Sequence, residues 1–182
     1  MMNQNSSPEV WMRGPVEGVP ALLQPVAHAL LQMTEDVEKY IAPLDGSLLW
    51  LRPENTASVA FHIQHIGGVI DRMFTYADDR PLSEAQFDYL SNEGVFNPEL
   101  TKDVLLSELK RRVAGAIGTL KTIDVAELGR VRFLGRKRIP TTLIGLLFHA
   151  AEHSQRHVGQ LLVTARWVRA LGATEAGECA IR

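Results

Sequence analysis

The sequence has very little cysteine, no long apolar run and almost no net charge, and each lack excludes a class of protein. A single cysteine, Cys179, excludes an internal disulfide and a cysteine-based zinc site. No apolar stretch reaches the roughly 18 residues that a membrane-spanning helix requires, so we expect no membrane association. The formal net charge of -2 gives no electrostatic reason to expect nucleic acid as a partner.

The remaining composition is that of an ordinary globular domain. Hydrophobic residues make up 46% of the chain and charged residues 22%, which is typical of soluble proteins. A chain of 182 residues is long enough for one domain with a substantial core. Residues 1–8 are polar and lack the layout of a secretory signal, so we expect a cytoplasmic protein.

Apolar residues recur at helical spacing in four long segments, which predicts an all-α fold. The predicted helices are 19–41, 57–77 with Asn55 or Thr56 as its cap, a third capped by Asn97 or Thr101, and a last one from Thr141 or Thr142 to about 170. The third has a predicted buried stripe of Val104, Leu105, Leu109, Val113, Ile117 and Leu120. Ser83 to Gln86 matches a capping box and predicts a short extra helix ending near Gly94. We therefore predict an up-and-down four-helix bundle with one short extra helix.

Three segments lie outside or between the helices of the predicted bundle, which spans residues 19–171. Residues 1–18 are predicted as an N-terminal arm, and residues 172–182 as a flexible C-terminal tail. Residues 129–140 are predicted as a connecting loop or a small hairpin. The arginines and the lysine of the basic loop 130–138 are typical of a solvated loop, and a role in binding an anionic substrate stays open.

Five of the six histidines fall in two short segments. His149, His153 and His157 follow one another at intervals of four, and His62 and His65 lie upstream. Residues three or four apart share one face of a helix, about 6 Å apart at Cβ, so two such rings can converge on one ion. Buried imidazoles need partners, and a divalent cation is an efficient one. We therefore predict a metal site at His153 and His157, with His65 as the best placed third ligand.

The neighbouring polar residues receive supporting roles in this prediction. His62 and His149 are predicted to line the pocket or to support the ligands, and Glu152 is predicted to pair with a nearby arginine. Gln160 either hydrogen-bonds a ligand histidine or stabilises a dimer, and the sequence leaves both open. In the second predicted helix, His62 and His65 are followed by Gly67-Gly68, which either close approach of another backbone or local bending would explain.

The last helix resembles the signature of the DinB/YfiT-like superfamily, in which a histidine is followed four residues later by a second, and then by a third before Gly-Gln. Here these are His149, His153 and His157, the last followed by Val158, Gly159 and Gln160. The segment 58–66 around His65 is also similar to that family, and the resemblance covers about residues 20–170. It implies a four-helix bundle, often a homodimer, with a divalent metal on His65, His153 and His157.

The resemblance implies a metal-dependent enzyme, because some members are thiol-dependent S-transferases and others are suspected hydrolases. Zn²⁺ or Ni²⁺ is expected, since imidazole suits both, and an open coordination position would provide a Lewis acid for a small-molecule substrate. A low-molecular-weight thiol is a candidate cosubstrate. The alternative is a non-catalytic stress-response or binding protein with a structural or vestigial metal site.

A second motif competes for the same histidines. His149-Ala-Ala-Glu152-His153 has the H-x-x-E-H pattern of inverzincin peptidases, with glutamate as base and two histidines as ligands. Those enzymes are large domains in which the third metal ligand is an acidic residue far along the sequence. Only Glu175 and Glu178 are acidic after His153, so we favour the three-histidine site.

Overall fold

The computed structural model describes the backbone of residues 7–179 and the side chains of residues 7–172. In this part the elements are α1 (Gln24–Ile41), α2 (Val59–Ala77), α3 (Glu84–Asn92), α4 (Lys102–Leu120), β1 (Val131–Leu134), β2 (Ile139–Thr142) and α5 (Leu143–Cys179), with short 3₁₀ turns between some of them. This arrangement confirms the predicted all-α four-helix bundle with a short extra helix, α3. No helix in the described residues is long and apolar enough to cross a membrane.

The four long helices enclose a single core. Helix α5 packs against α1 and α2, and α4 packs against the same two helices. The largest side chains between them are fully buried: Leu30, Met33, Ile63, Ile66, Ile70, Leu109, Leu147 and Leu161. Because α5 runs along α2, the histidine-bearing faces of these two helices are adjacent, which is what a site shared between them requires.

The start of α2 corrects the predicted cap. Its N-cap is Ser58, whose hydroxyl accepts a hydrogen bond from the backbone N–H of Phe61 at 3.1 Å, not Asn55 or Thr56. The preceding residues form a 3₁₀ turn in which Glu54 and Asn55 have φ values of 48° and 60°. Because these values lie in the left-handed region, the chain enters a helix only after this turn.

The other helix starts follow the sequence more closely. Thr101 caps α4, and Ser83 forms the predicted capping box with Gln86 at the start of α3. Helix α1 begins at Gln24 rather than at residue 19, which places Pro25 in its first turn, where proline is tolerated. The late start therefore removes the conflict that proline would create inside a helix.

The buried stripe of α4 differs from the prediction at two positions. Val104 is 45% exposed, and Ile117 is only partly buried against the core. The buried line of the helix runs through Leu105, Leu109, Val113, Ala116 and Leu120. Successive helical residues are about 100° apart, so Val104 points away from the line that contains Leu105. The inclusion of Val104 in the buried stripe was wrong.

Both ends of the chain carry more structure than was predicted. Helix α5 continues to Cys179, past the predicted end near residue 170 and through most of the segment predicted as a flexible tail. That segment contains alanine and glutamate, which favour a helix, and no proline, although Gly172 and Gly177 weaken it. In the arm, Val10 is buried and its N–H donates to Oε1 of Gln32 at 2.9 Å, which fixes the arm to α1. Residues 1–6 and 180–182 lie outside the described residues.

The segment between α4 and α5 was predicted as a connecting loop or a small hairpin, and the structure shows the hairpin. Strands β1 and β2 pair antiparallel, with Val131 opposite Thr142. Arg132 is buried, and its Nε–H donates to the carbonyl of Ala77 at 2.7 Å, at the end of α2. The expectation that all the basic side chains of this loop are solvated was therefore wrong for Arg132, which ties the hairpin to the bundle.

Candidate metal centre

Three histidine rings from two helices converge on one point. His65 comes from α2, and His153 and His157 come from successive turns of α5; one ring nitrogen of each lies within 4.8 Å of the others. The Nε2 atoms of His65 and His153 are 3.1 Å apart. The ring centroid of His157 lies 4.4 Å from that of His65 and 4.7 Å from that of His153. The structure thus brings together the three residues that the sequence predicts as ligands.

The spacing of these nitrogens fits a small divalent cation. Two bonds of about 2.0–2.1 Å to a tetrahedral zinc ion place their nitrogen atoms about 3.3 Å apart, close to the 3.1 Å between Nε2 of His65 and Nε2 of His153. The buried Nδ1 of His153 has no hydrogen-bond partner in the described residues. This Nδ1 lies across the ring from the Nε2 that faces His65, so an ion held by Nε2 would leave it without a partner as well. The fit to a metal rests instead on three imidazole donors and on the 3.1 Å between two of their nitrogens.

A buried carboxylate fixes the ring of His65. Oε2 of Glu93 lies 2.6 Å from Nδ1 of His65, and its Oε1 lies 2.6 Å from the guanidinium of Arg72. The Glu93 side chain is only 3% exposed. With its Nδ1 proton donated to Glu93, His65 presents the unprotonated Nε2 toward the other two histidines, which is the usual arrangement of a carboxylate, a histidine and a metal.

Sequence reasoning missed Glu93, which follows α3 and lies 28 positions from His65. Nothing in the local pattern marks it, since it reads as one more acidic residue at the end of a short helix. A weak signal was present in Gly67-Gly68. A Cβ atom at Gly68 would collide with the carboxylate of Glu93 and the guanidinium of Arg72. The second glycine therefore leaves space for side chains, rather than for another backbone.

His62 supports the second side of the centre. Its Nδ1 lies 3.1 Å from Nδ1 of His157, so one of these nitrogens donates and the other accepts. For His157 to keep Nε2 free for a cation, its Nδ1–H must donate to His62. His62 is 4% exposed, and this placement matches the supporting role that the sequence predicts for it.

The environment favours the neutral form of three imidazoles, those of His62, His153 and His157. Burial, followed by the neighbouring imidazole of His65, lowers the pKa of His157 to about 3 and that of His62 to about 4. Burial and the same neighbour also lower the pKa of His153. Neutral imidazoles retain the lone pairs that metal ligation requires, so the centre can bind a cation near neutral pH.

The competing H-x-x-E-H residues form a second group. Ligand atoms of His149, Glu152 and His153 also lie within 4.8 Å of one another. However, Nδ1 of His149 lies 2.9 Å from Oε1 of Glu152, whose Oε2 accepts from Arg156 at 2.7 Å. Glu152 is therefore engaged in the predicted pair with an arginine. His149 is 44% exposed and lies beside the centre, 5.1 Å from the ring of His153.

Two roles were predicted for Gln160, and the first, a hydrogen bond to a ligand histidine, is not seen in the described residues. The Nδ1 atoms of His65 and His157 are engaged by Glu93 and His62. Gln160 is exposed on α5 and lines a cleft beside His157. The other prediction for Gln160, a contact in a dimer, stays a prediction.

A comparison with known protein families identifies the family of this chain. The family profile described as the DinB superfamily matches residues 29–161, which include both histidine segments. The chain belongs to the DinB superfamily. The membership that the resemblance predicted is confirmed, while none of the curated proteins compared with the chain matches it.

Solved structures agree with the fold of this DinB-superfamily chain. A conserved protein from Enterococcus faecalis is similar with a TM-score of 0.67 at 18% identity, covering 82% of this chain and 98% of that one. YfiT from Bacillus subtilis is similar with a TM-score of 0.60 at 16% identity, covering 84% and 91%. YfiT is described as a probable metal-dependent hydrolase with an unusual four-helix bundle topology. At these identities the likeness concerns the fold alone.

Proposed function

We propose that the chain is a metal-dependent enzyme that hydrolyses a small molecule at a centre formed by His65, His153 and His157. The observation that carries the proposal is the convergence of one nitrogen from each of these residues within 4.8 Å. Membership of the DinB superfamily and the description of YfiT as a probable metal-dependent hydrolase support it. Two helices of one rigid bundle hold the three rings, which is the preorganisation that a catalytic metal site needs.

The number of ligands favours catalysis over a structural role. Structural zinc sites in proteins are closed by four protein ligands, whereas catalytic sites use three and keep one position open. Within the described residues, the group around the three nitrogens has three members. His62, the nearest further histidine, has its Nδ1 against His157. The centre therefore has the composition of an open site.

The expected metal is Zn²⁺ or Ni²⁺, since neutral imidazoles suit both. When bound, such a cation acts as a Lewis acid that activates a small ligand in its open position. The residues of the chain supply the rest: Glu93 fixes the tautomer of His65, and His62 fixes that of His157. Phe61, stacked on His65 at 5.2 Å between centroids, forms an apolar wall that limits access of water.

An experiment with Co²⁺ tests the open position directly. The protein without an affinity tag is loaded with Co²⁺, and its visible absorption spectrum is recorded as azide is added. We expect the spectrum of a low-coordinate cobalt ion that changes with azide, because an open position accepts the anion. A cobalt spectrum that azide leaves unchanged would support the alternative, a non-catalytic protein with a closed structural metal.

A second assay separates hydrolysis from thiol transfer. The Zn²⁺- and Ni²⁺-loaded proteins are assayed against small esters, amides and alkyl electrophiles, with and without a low-molecular-weight thiol. Turnover that needs no thiol, and that disappears in His153→Ala, supports hydrolysis. Turnover that depends on the thiol would instead assign the S-transferase activity known in some relatives.

The oligomeric state, which we expect to be a homodimer, is measured on the same samples by sedimentation equilibrium.

A further inference from the structure

An apolar cleft adjoins the metal centre. Its volume is about 600 Å³, and His62 and His157 of the centre are among the residues that line it. The rest of the wall includes Phe61 from α2 and Gly159, Val163 and Trp167 from α5. A volume of this size lies within the range of small-molecule binding sites.

The walls of the cleft leave large apolar groups in contact with water. Val163 is 64% exposed and Trp167 is 40% exposed, one helical turn apart on α5. Arg156 also borders the cleft, but its guanidinium is 2.7 Å from Glu152 and is thus already paired. Thr56, Gln160 and Thr164 also line the cleft, but they are uncharged and most of the lining is carbon surface. An occupant would therefore meet mainly apolar groups and a neutralised arginine, which favours an uncharged apolar group.

We propose that this cleft binds the apolar body of the substrate, an alkyl or aryl group of several carbon atoms, whose reactive end lies at the metal. This inference rests on the proposed function and adds the substrate class. Its basis is continuity: the same ring, His157, is a member of the metal group and a wall of the cleft. A molecule that fills the cleft thus contacts a ring of the metal group, and its reactive end extends past that ring to the metal position.

Gly159 provides a way to fill the cleft without touching the metal ligands. A Cβ atom at this position meets no other atom within 4 Å, so a leucine has space and extends toward the cleft. Leucine is also a better helix former than glycine, so the variant should fold. Gly118 on α4 is the matched control, because it too is helical, exposed and free of neighbours within 4 Å, and it does not line the cleft.

The probes are acetohydroxamate and hexanohydroxamate, which share a metal-binding group and differ by four methylene groups. Their affinities for the Zn²⁺-loaded protein are measured by calorimetry for the wild type, Gly159→Leu and Gly118→Leu. We expect hexanohydroxamate to bind the wild type on the order of 10- to 100-fold more tightly, because burial of each methylene group is favourable. Gly159→Leu should lose most of this gain and retain the affinity for acetohydroxamate, while Gly118→Leu should behave as the wild type.

Three results would overturn the inference while leaving the proposed function intact. The first is equal affinity of the two hydroxamates for the wild type, and the second is a gain that Gly159→Leu retains. The third is a homodimer that Gly159→Leu dissociates, because a second copy would then be the occupant of the cleft.

A failure of the proposed function is recognised separately. If acetohydroxamate does not bind the wild type, the metal has no open position and the proposed function is contradicted. The cleft is then tested on metal-free protein by the ¹H–¹⁵N signal of the Trp167 indole during titration with 1-hexanol. A saturable shift that is absent in Gly159→Leu supports the apolar site, and an unchanged signal overturns it.

Discussion

Nδ1 of His65 lies 2.6 Å from Oε2 of Glu93, so a buried carboxylate behind the ring sets which nitrogen faces the metal position. The same carboxylate pairs with Arg72 through its other oxygen at 2.6 Å. The short helix α3 and the residue that follows it are therefore part of the centre, although they carry none of its proposed ligands.

Replacing this carboxylate should weaken the metal centre. We expect Glu93→Gln to lower the affinity for Zn²⁺ by about 10- to 100-fold, because an amide no longer fixes the His65 tautomer as a carboxylate does. The measurement is competition with a chromophoric chelator. Glu108→Gln is the control, since Glu108 also binds arginines, Arg111 and Arg112, but lies outside the metal group. Equal affinities of Glu93→Gln and the wild type would contradict the role assigned to Glu93.

The two adjacent glycines of α2 should respond in opposite ways to alanine. Gly68→Ala places a Cβ on Glu93 and Arg72, so we expect a loss of about 1–3 kcal/mol in the free energy of unfolding, as in other overpacked sites. In Gly67→Ala the nearest atom is Cδ of Arg112 at 3.2 Å, and this flexible side chain can move. That variant should be neutral or gain up to about 1 kcal/mol from helix propensity. Urea denaturation measures both, and equal losses would refute this account of Gly68.

The metal-free protein should lose stability on mild acidification. The folded state holds the pKa of His157 at about 3 and that of His62 at about 4, below the ordinary value of 6.5. The unfolded chain therefore binds protons first, so the stabilisation is complete above pH 6.5 and is lost as the pH falls toward 4.

The test compares urea midpoints of metal-free protein at about pH 7 and about pH 5. The wild type should unfold at lower urea concentration at the lower pH, and a His62→Phe, His157→Phe double variant should lose less. His28→Gln, at a histidine that lies outside the metal group and contacts the carbonyl of Gly14, should respond as the wild type does. A wild-type midpoint that is the same at both values would contradict the pKa assignment.

Much of the fold and the shared face of His153 and His157 could be predicted from the sequence, because both depend on local periodicity. His65 lies on another helix, and its place in the ligand set is what the family resemblance implies. The four-residue spacing of His153 and His157 fixes their shared face once the segment is helical. The capping box at Ser83 and the cap at Thr101 are equally local. Such features need no knowledge of how the helices pack.

The errors and omissions arise where packing or loop geometry decides. Glu93 reaches His65 only because the connection after α2 folds back over that helix. Arg132 is buried because the hairpin lies against the end of α2, although its sequence is that of a solvated loop. The cap of α2 is Ser58 rather than Asn55 or Thr56. Glu54 and Asn55 adopt positive φ values before the helix, which periodicity does not reveal.

The most direct test of the central claim is the metal content of alanine variants purified without an affinity tag, by elemental analysis after loading with Zn²⁺. The account predicts that His65→Ala, His153→Ala and His157→Ala each lose stoichiometric metal, while His149→Ala retains about one ion per chain, as expected for a single three-ligand site. Loss of metal in His149→Ala with retention in His157→Ala would contradict it, and would assign the ion to the group of His149, Glu152 and His153.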